Sequence, residues 1–280
     1  MKKLPTSVLV LGLMASFLPS LGRAEEPVDE QATPVPPVAE IVDRANRVAY
    51  YQGKDGRAQV AMEITDSQGR SRSRVLVILR KDDSEDPEAA GDQKFYVYFL
   101  RPADVNKMVF LVWKYVERGK DDDRWLYLPA LDLVKRIAGA EKRTSFVGSD
   151  FFYEDVSGRG IEEDTHELER TTDDYYVVKS TPRDPGAVEF AYYTNWIHRE
   201  SFIPVRTEYF DKNGEKYREY TALGVETIEG YPTVTRSSMK SLKTGSKTVM
   251  SYTKVAYDIG LPDGIFTERY LRNPPREYLR

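Results

Sequence analysis

Most of the chain consists of short segments in which apolar and polar residues alternate, and turn residues separate one segment from the next. Val60, Met62 and Ile64 share one face of an early segment, and a turn at 66–69 leads into a second segment at 70–81. Alternation with a period of two predicts β-strands. Because such strands follow one another without helices between them, the pattern predicts an antiparallel meander.

Further strands are predicted along the rest of the chain. The pair Asn213-Gly214 lies between two of them and suits a hairpin turn. A sheet of this size can close into a barrel, fold into a sandwich, or stay partly open with helices covering one face. The further predicted strands are 94–101, 108–116, 124–128, 133–137, 175–180, 189–198, 205–211, 216–225, 233–242 and 247–258.

The clearest helix is predicted directly after Pro37, a residue that suits the first turn of a helix. Ile41, Val42 and Ala45 belong to one apolar stripe at helical spacing, and Gly53 follows the end of the helix. This helix is a candidate lid over the sheet.

Two shorter helical pieces are also predicted. One begins at Ser149 or Asp150, either of which can cap a helix, and the other covers residues 262–271. Three short helices beside one long meander favour the partly open barrel over the closed barrel and the sandwich.

The N-terminal residues have the pattern of an export signal. Lys2 and Lys3 precede an apolar stretch at 8–18, and small residues around Ala24 predict cleavage before Glu25. The acidic, proline-rich residues 25–37 are predicted to form an extended tether. Residues 38–280 are then expected to form a single domain outside the cytoplasm.

Charge and cysteine content exclude several functions. The formal net charge is −4, and removal of residues 1–24 with their three cations takes it to −7. This balance argues against nucleic acid as a partner and against adhesion to anionic lipid surfaces. The chain contains no cysteine, which excludes disulfides, thiol catalysis and zinc held by cysteine.

No pattern of catalytic or metal-binding residues is evident. The two histidines, His166 and His198, lack the spacing of a metal site, and the aspartates at 121–123 lack the spacing of a calcium loop. The Gly-x-Ser-x-Gly pattern of hydrolases is missing, and the glycines at 158–160 lack the Lys-Ser or Lys-Thr of a phosphate loop. We therefore predict that the chain is not an enzyme and uses neither a metal nor a cofactor.

Aromatic and aliphatic residues are more abundant than three short helices can cover. The chain has 19 Tyr, 11 Phe and 3 Trp, and several neighbouring strands are apolar on both faces. Any single residue of this kind is most simply a core residue, but part of the combined surface should form a cavity or an interface. The residues predicted to line a cavity and bind lipid are Val60, Met62, Ile64, Val77, Leu79, Phe95, Val97, Phe99, Leu111, Trp113, Trp125 and Tyr127.

The order and spacing of several motifs resemble the outer-membrane lipoprotein-sorting (LolA-like) family of periplasmic proteins. The motifs are FLRPADV at 99–105, DRWLYLPAL at 123–131, VKRI at 134–137 and FVGSDFFYEDV at 146–156, followed by residues 262–271. The resemblance covers about residues 39–271.

This resemblance implies a mainly β fold: a single, strongly curved antiparallel sheet that forms an unclosed half-barrel, with about three short helices over its mouth. The implied function is a periplasmic carrier of lipid, lipoprotein acyl chains or other hydrophobic cargo between the inner and outer membranes. Residues expected to form the lid or its structural motif are Ile41, Val42, Ala45, Arg136, Asp150, Phe151 and Tyr153, with Arg136 pairing with Asp150 or Asp155.

An alternative function remains open at this point. The chain can be a non-enzymatic adaptor that docks on an inner-membrane lipid exporter of the RND or MMPL type, or that meets an outer-membrane acceptor. A continuous interior cavity favours the carrier, whereas an interior filled by side chains favours the adaptor.

Overall fold

The architecture follows from the alternation of side chains along the strands. The computed structural model describes residues 34–84, 90–117 and 119–280. The predicted export signal and residues 25–33 of the predicted tether lie outside the described residues, and both stay predictions. All the elements below belong to the unit that runs from Pro36 to Arg280. No helix in the described ranges has the length and hydropathy needed to span a membrane.

Within the described residues, thirteen antiparallel strands form one sheet, and its two edge strands do not pair with each other. The order is β6 to β1 and then β13 to β7, so β1 and β13 are the only neighbours that are distant in sequence. The strands are β1 (Asp55–Thr65), β2 (Ser71–Asp82), β3 (Gln93–Arg101), β4 (Val109–Lys114), β5 (Asp123–Leu128), β6 (Leu133–Arg136), β7 (Asp164–Thr171), β8 (Tyr175–Pro182), β9 (Phe190–His198), β10 (Pro204–Asp211), β11 (Lys216–Ile228), β12 (Tyr231–Ser241) and β13 (Lys247–Tyr257).

The predicted single, unclosed antiparallel sheet is therefore confirmed. One strand, β7, was not predicted from the sequence. Its residues, DTHELERT, include Leu168 as the one large aliphatic side chain, because an edge strand has little core to contact.

The helices in the described ranges are α1 (Val38–Tyr50), α2 (Tyr153–Ser157) and α3 (Arg269–Arg272). The predicted helix after Pro37 is confirmed as α1, with Ile41 and Ala45 buried. The helix predicted at 262–271 is shorter than expected. A 3₁₀ turn at Asp263–Ile265 and the single turn of α3 take its place.

The strands β2 to β5 bury apolar side chains on both faces of the sheet. We call the face that carries Leu76 and Val97 the inner face and the face that carries Leu79 and Tyr96 the outer face; these residues belong to separate buried clusters. Since apolar surface is stabilising only when it is removed from water, each face needs its own covering.

Residues 259–280, the C-terminal segment, cover the outer face of β2 to β5. The carboxylate of Asp55 accepts hydrogen bonds from the backbone N–H groups of residues 259, 260 and 261, at 2.8, 3.2 and 2.6 Å, which fixes the start of the segment. The indole of Trp113 donates to the Phe266 carbonyl at 2.7 Å, and the Tyr96 hydroxyl donates to the Tyr270 carbonyl at 2.8 Å. The segment is thus a packed part of the core.

We expect Phe266→Ala to destabilise the protein by about 3–5 kcal/mol, because Phe266 is buried against the outer face and its loss leaves a cavity. Urea unfolding measures the change. Ile259→Ala is the matched control in the same segment, since Ile259 is 40% exposed, and its effect should stay within about 0.5 kcal/mol. Equal effects of the two substitutions would show that the segment does not cover a core.

Candidate functional site

The inner face is covered by α1 and by residues 137–163, the connecting segment between the two edge strands β6 and β7. Aromatic side chains hold this segment on the sheet. Phe146 lies 5.7 Å from Phe99 and 5.6 Å from Phe110 between ring centroids, and Tyr153 lies 5.1 Å from Phe110. Phe151 is buried in the same cluster. The predicted packing motif therefore contacts the inner face.

The predicted start of the second helix at Ser149 or Asp150 is wrong, because α2 begins at Tyr153. The Asp150 carboxylate instead accepts hydrogen bonds from Ser246 and from the Thr248 hydroxyl, the latter at 2.7 Å. Asp155 takes the capping role and accepts the Phe152 N–H at 2.6 Å. The hydrogen-bond partners of the Asp150 carboxylate thus lie about a hundred residues away in the sequence, and Asp150 does not cap the helix.

The predicted pairing of Arg136 with Asp150 or Asp155 is also wrong. Arg136 lies on the edge strand β6, is exposed, and pairs with Asp123 across the neighbouring strand. Asp155 pairs instead with Arg218, which is buried and lies over the Phe152 ring at 3.9 Å. The ion pair beneath the connecting segment therefore comes from β11 and not from β6.

A buried carboxylate, Glu154 of α2, anchors the other side of the connecting segment. Its oxygens lie 3.1 Å from Lys142, 3.0 Å from Arg143 and 3.5 Å from Arg159. Burial alone would raise the pKa of Glu154, but the three cations outweigh burial and lower it. The cluster fixes α2 through charge, since a buried carboxylate requires paired cations.

Lys114, the last residue of β4, contacts both α1 and the connecting segment, which together cover the inner face. Its ammonium donates to the Ser157 carbonyl at 2.8 Å and lies 5.2 Å from the centre of the Tyr50 ring. The side chain is buried, and burial lowers its pKa to about 8, although Asp122 partly opposes this shift. The lysine therefore links the end of α2 to the end of α1.

We expect the titration of Lys114 to change how the free energy of unfolding depends on pH. The pKa of Lys114 in the folded state, about 8, lies below the ordinary value of 10.5, so the unfolded chain binds more protons between these values. The contribution of Lys114 to stability, measured as the difference between the parent protein and Lys114→Met, should therefore rise by about 2 kcal/mol as pH increases from about 7.5 to 9.5. Urea unfolding across this range measures the slope, and Lys114→Met should lose that rise. An unchanged slope in the variant would contradict the assignment.

Gly158, which ends α2, allows the close approach of α1. Its φ of +78° is a conformation that side chains with a Cβ rarely adopt, and a Cβ there would lie 2.6 Å from the Tyr50 ring. Two separate constraints therefore require glycine at this position: the backbone conformation and the space that the Tyr50 ring occupies.

We expect Gly158→Ala to cost at least about 2 kcal/mol in the free energy of unfolding, because the strained backbone and the clash with Tyr50 add together. Gly214→Ala is the matched control. Gly214 has a φ of +79°, but no atom lies within 4 Å of the position of its Cβ. Chemical denaturation of both variants measures how much more the substitution costs beside Tyr50 than at a glycine with open space around it. Losses of the same size would mean that the contact with Tyr50 imposes no constraint.

Between the inner face, α1 and the connecting segment lies a cavity of about 420 Å³. One side of it is apolar and the other carries polar and aromatic groups. The apolar wall consists of Leu76, Ile78, Phe95, Val97, Phe146, Phe151, Met239 and Met250. The polar wall includes Tyr50, Tyr193, Asn195, Thr207, Tyr209, Tyr220 and Tyr252. The lining also contains charged side chains: Arg57, Arg80, Arg143, Arg159, Arg218, Glu154, Asp155 and Glu189.

The residues predicted to line a cavity divide between the two faces. Phe95 and Val97 line it, and four others pack beside them in the inner-face cluster: Val60, Met62, Ile64 and Phe99. Six lie on the outer face, where the C-terminal segment covers them: Val77, Leu79, Leu111, Trp113, Trp125 and Tyr127. On β2 the cavity is lined instead by Leu76 and Ile78, one position away, because alternation defines two faces without identifying the inner one.

Of the predicted lid residues on α1, Val42 and Ala45 line the cavity, whereas Ile41 is buried against strands β8 and β9. The polar wall was not predicted from the sequence. The sequence does contain a signal for this wall. Tyr193 and Asn195 share one face of β9, and Thr207 and Tyr209 share the same face of the adjacent strand β10.

No group of three or more side chains that could hold a metal ion is found among the residues described by the structure. His166 lines the cavity, and its ring nitrogens lie 2.8 Å from the Ser180 hydroxyl and 2.9 Å from the Ile161 carbonyl. These contacts join β7 to β8 and to the connecting segment.

Comparisons with known proteins agree with this geometry. A family model described as that of an uncharacterized protein matches residues 91–273. Among solved structures, the chain is similar to a DUF1329 family protein from Desulfovibrio piger, with 30% identity and a TM-score of 0.75, over 85% of this chain and 100% of that chain. Among curated proteins, no significant match is found.

Two further solved structures share the fold. One is described as an outer membrane lipoprotein-sorting protein domain from Vibrio parahaemolyticus, with 25% identity and a TM-score of 0.73, over 83% of this chain and 97% of that one. The other is a LolA superfamily protein from Nitrosomonas europaea, with 20% identity and a TM-score of 0.64, over 84% and 100%. The predicted LolA-like fold is confirmed.

Proposed function

The chain belongs to the DUF1329 family, and from this premise we propose that it is a periplasmic carrier that binds hydrophobic cargo in the cavity of a LolA-like fold. The cargo is a lipid or the acyl chains of a lipoprotein, in transit between the inner and outer membranes. The proposal includes no chemical reaction on the cargo.

The observation that carries the proposal is the cavity of about 420 Å³ beneath α1. This volume lies within the range of ligand pockets, about 300–1,000 Å³. Leu76, Ile78 and Met250 give one wall the apolar surface that an acyl chain requires. An adaptor needs no such space, since side chains could fill the interior.

The energy of burial supports carriage. Each methylene removed from water contributes about 0.8 kcal/mol, so a chain of ~14 methylenes gains roughly 11 kcal/mol before the costs of binding. This gain does not depend on a specific polar contact. Release then requires that α1 moves or that an acceptor competes for the cargo.

The compartment is proposed from the export signal at 1–24 and from the described role of the Vibrio parahaemolyticus domain in outer membrane lipoprotein sorting. Cargo of this kind crosses the water between two membranes, and its acyl chains need an apolar enclosure there.

We expect Ala58→Phe to reduce the amount of lipid bound by about tenfold or more, because Ala58 lines the cavity and a phenyl ring there displaces several methylenes. Native mass spectrometry of protein purified from the periplasm measures the bound lipid. The matched control is Ala61→Phe, because Ala61 lies on the same strand, is exposed, and does not line this cavity.

Both variants should keep the melting temperature of the parent protein within a few degrees. If the parent protein carries no lipid and instead co-purifies with a membrane exporter, the adaptor role replaces the carrier role. Equal loss of lipid in the two variants would show that the cargo lies outside the cavity.

A further inference from the structure

The polar wall contains a cluster of four tyrosines, which we call the tyrosine cluster. Tyr209 on β10, Tyr220 on β11 and Tyr252 on β13 project from the inner face, and Tyr50 at the end of α1 faces them. All four are half-buried and line the cavity, so part of each side chain meets the hollow. The sheet and the helix α1 therefore both contribute phenol groups to the lining of one cavity.

The pKa of Tyr50 is affected by the other three phenols of the cluster. Burial raises the pKa of Tyr50 well above its usual range, and Asp155 raises it further. The phenols of Tyr209, Tyr220 and Tyr252 each add to the rise. Since all four side chains line the same cavity, their effect on one another agrees with a shared location.

Among the residues that the structure describes, two of these four hydroxyl groups make no hydrogen bond to the protein itself. In the described part of the chain, neither the Tyr50 hydroxyl nor the Tyr209 hydroxyl has a hydrogen-bond partner. The Tyr252 hydroxyl lies 3.3 Å from the Met250 sulfur, a weak acceptor, and Tyr220 and Tyr252 both interact with Ser237. The Tyr50 and Tyr209 hydroxyls remain available to an occupant that brings an oxygen atom.

Most charged groups beside the tyrosine cluster are held in ion pairs. Asp155 pairs with Arg218, and Glu154 is held by three cations. Arg80, which also lines the cavity, donates at 2.7 Å to the Gly53 carbonyl beyond the end of α1, and its charge acts on Tyr51, Tyr231 and Tyr257. Arg57 and Arg80 also line the cavity and have no carboxylate partner among the described residues, so the whole lining is not neutral, whereas the charged groups Asp155 and Arg218 beside the tyrosine cluster are paired.

We propose that the tyrosine cluster binds the uncharged oxygen of an amphiphilic lipid, an ester carbonyl or a hydroxyl, while the acyl chain lies against Leu76, Val97 and Met250. This inference rests on the proposed carrier function and specifies its cargo as a neutral, oxygen-bearing lipid. A bare hydrocarbon leaves the phenols unpaired, and a carboxylate placed there would lie beside the carboxylate of Asp155, which already pairs with Arg218. Specificity of this kind arises because a polar site rejects ligands that cannot pair with it.

The test uses the full chain and an apolar fluorescent dye, N-phenyl-1-naphthylamine, displaced by three ligands of equal chain length: a monoacylglycerol, a fatty acid and an alkane. The monoacylglycerol should bind best. Tyr209→Phe and Tyr50→Phe, which remove only the hydroxyl, should each weaken it about 3- to 10-fold and leave the dye and the alkane unchanged. Tyr192→Phe is the matched control, since Tyr192 alternates with Tyr193 on β9 and stacks on Phe210 at 4.6 Å on the outer face.

Each of the other possible results contradicts one part of the proposal. If the unsubstituted protein binds neither dye nor lipid, carriage itself fails. If lipids bind and the two variants behave like Tyr192→Phe, carriage stands and the role of the tyrosine cluster is rejected. Preference for the fatty acid rejects a neutral cargo, and equal weakening of all ligands assigns the tyrosines to packing alone.

Discussion

The structure depends on one constraint: strands β2 to β5 are apolar on both faces and cannot remain stable unless each face is covered. The two coverings are built differently. On the outer face, Phe266 and Leu271 pack against Tyr96 and Leu111 as an ordinary core. On the inner face, α1 and the connecting segment 137–163 leave a cavity of about 420 Å³. A sheet that pairs all its neighbours and yet does not close therefore has one filled side and one side with room for a ligand.

The inner covering is positioned by charged groups. Glu154 with its three cations, Arg218 with Asp155, and Lys114 on the Ser157 carbonyl all hold α2 at its ends. Buried ion pairs add little to stability compared with well-packed apolar residues, but they tolerate only a narrow range of geometries. Collapse of α2 into the cavity would separate these pairs and leave buried charges alone. Electrostatic anchoring thus explains why the hydrophobic effect does not close the hollow.

The sequence predicts the elements better than it predicts the faces. Alternation locates most of the strands, and the helical stripe locates α1, because both patterns are local. Val77 and Leu79 cannot be separated from Leu76 and Ile78 by alternation, because β2 is apolar on both sides. The start of α2 and the partner of Arg136 depend on Thr248 and Asp123, which come close only after the sheet has formed. The polar wall was missed because tyrosines on a strand resemble a core.

The two ends of α1 differ in what holds them, and this difference determines where the cavity opens at least cost. At the C-terminal end, Gln93 donates to the Tyr50 carbonyl at 2.7 Å, and Arg80 donates to the carbonyls of residues 52 and 53. Separation there breaks hydrogen bonds in a buried site. Towards the N-terminal end, Ile41 and Ala45 contact the sheet through apolar surface, which an acyl chain can replace without loss. In the proposed carrier, entering cargo would therefore compensate for the contacts that it displaces at this end and not at the other.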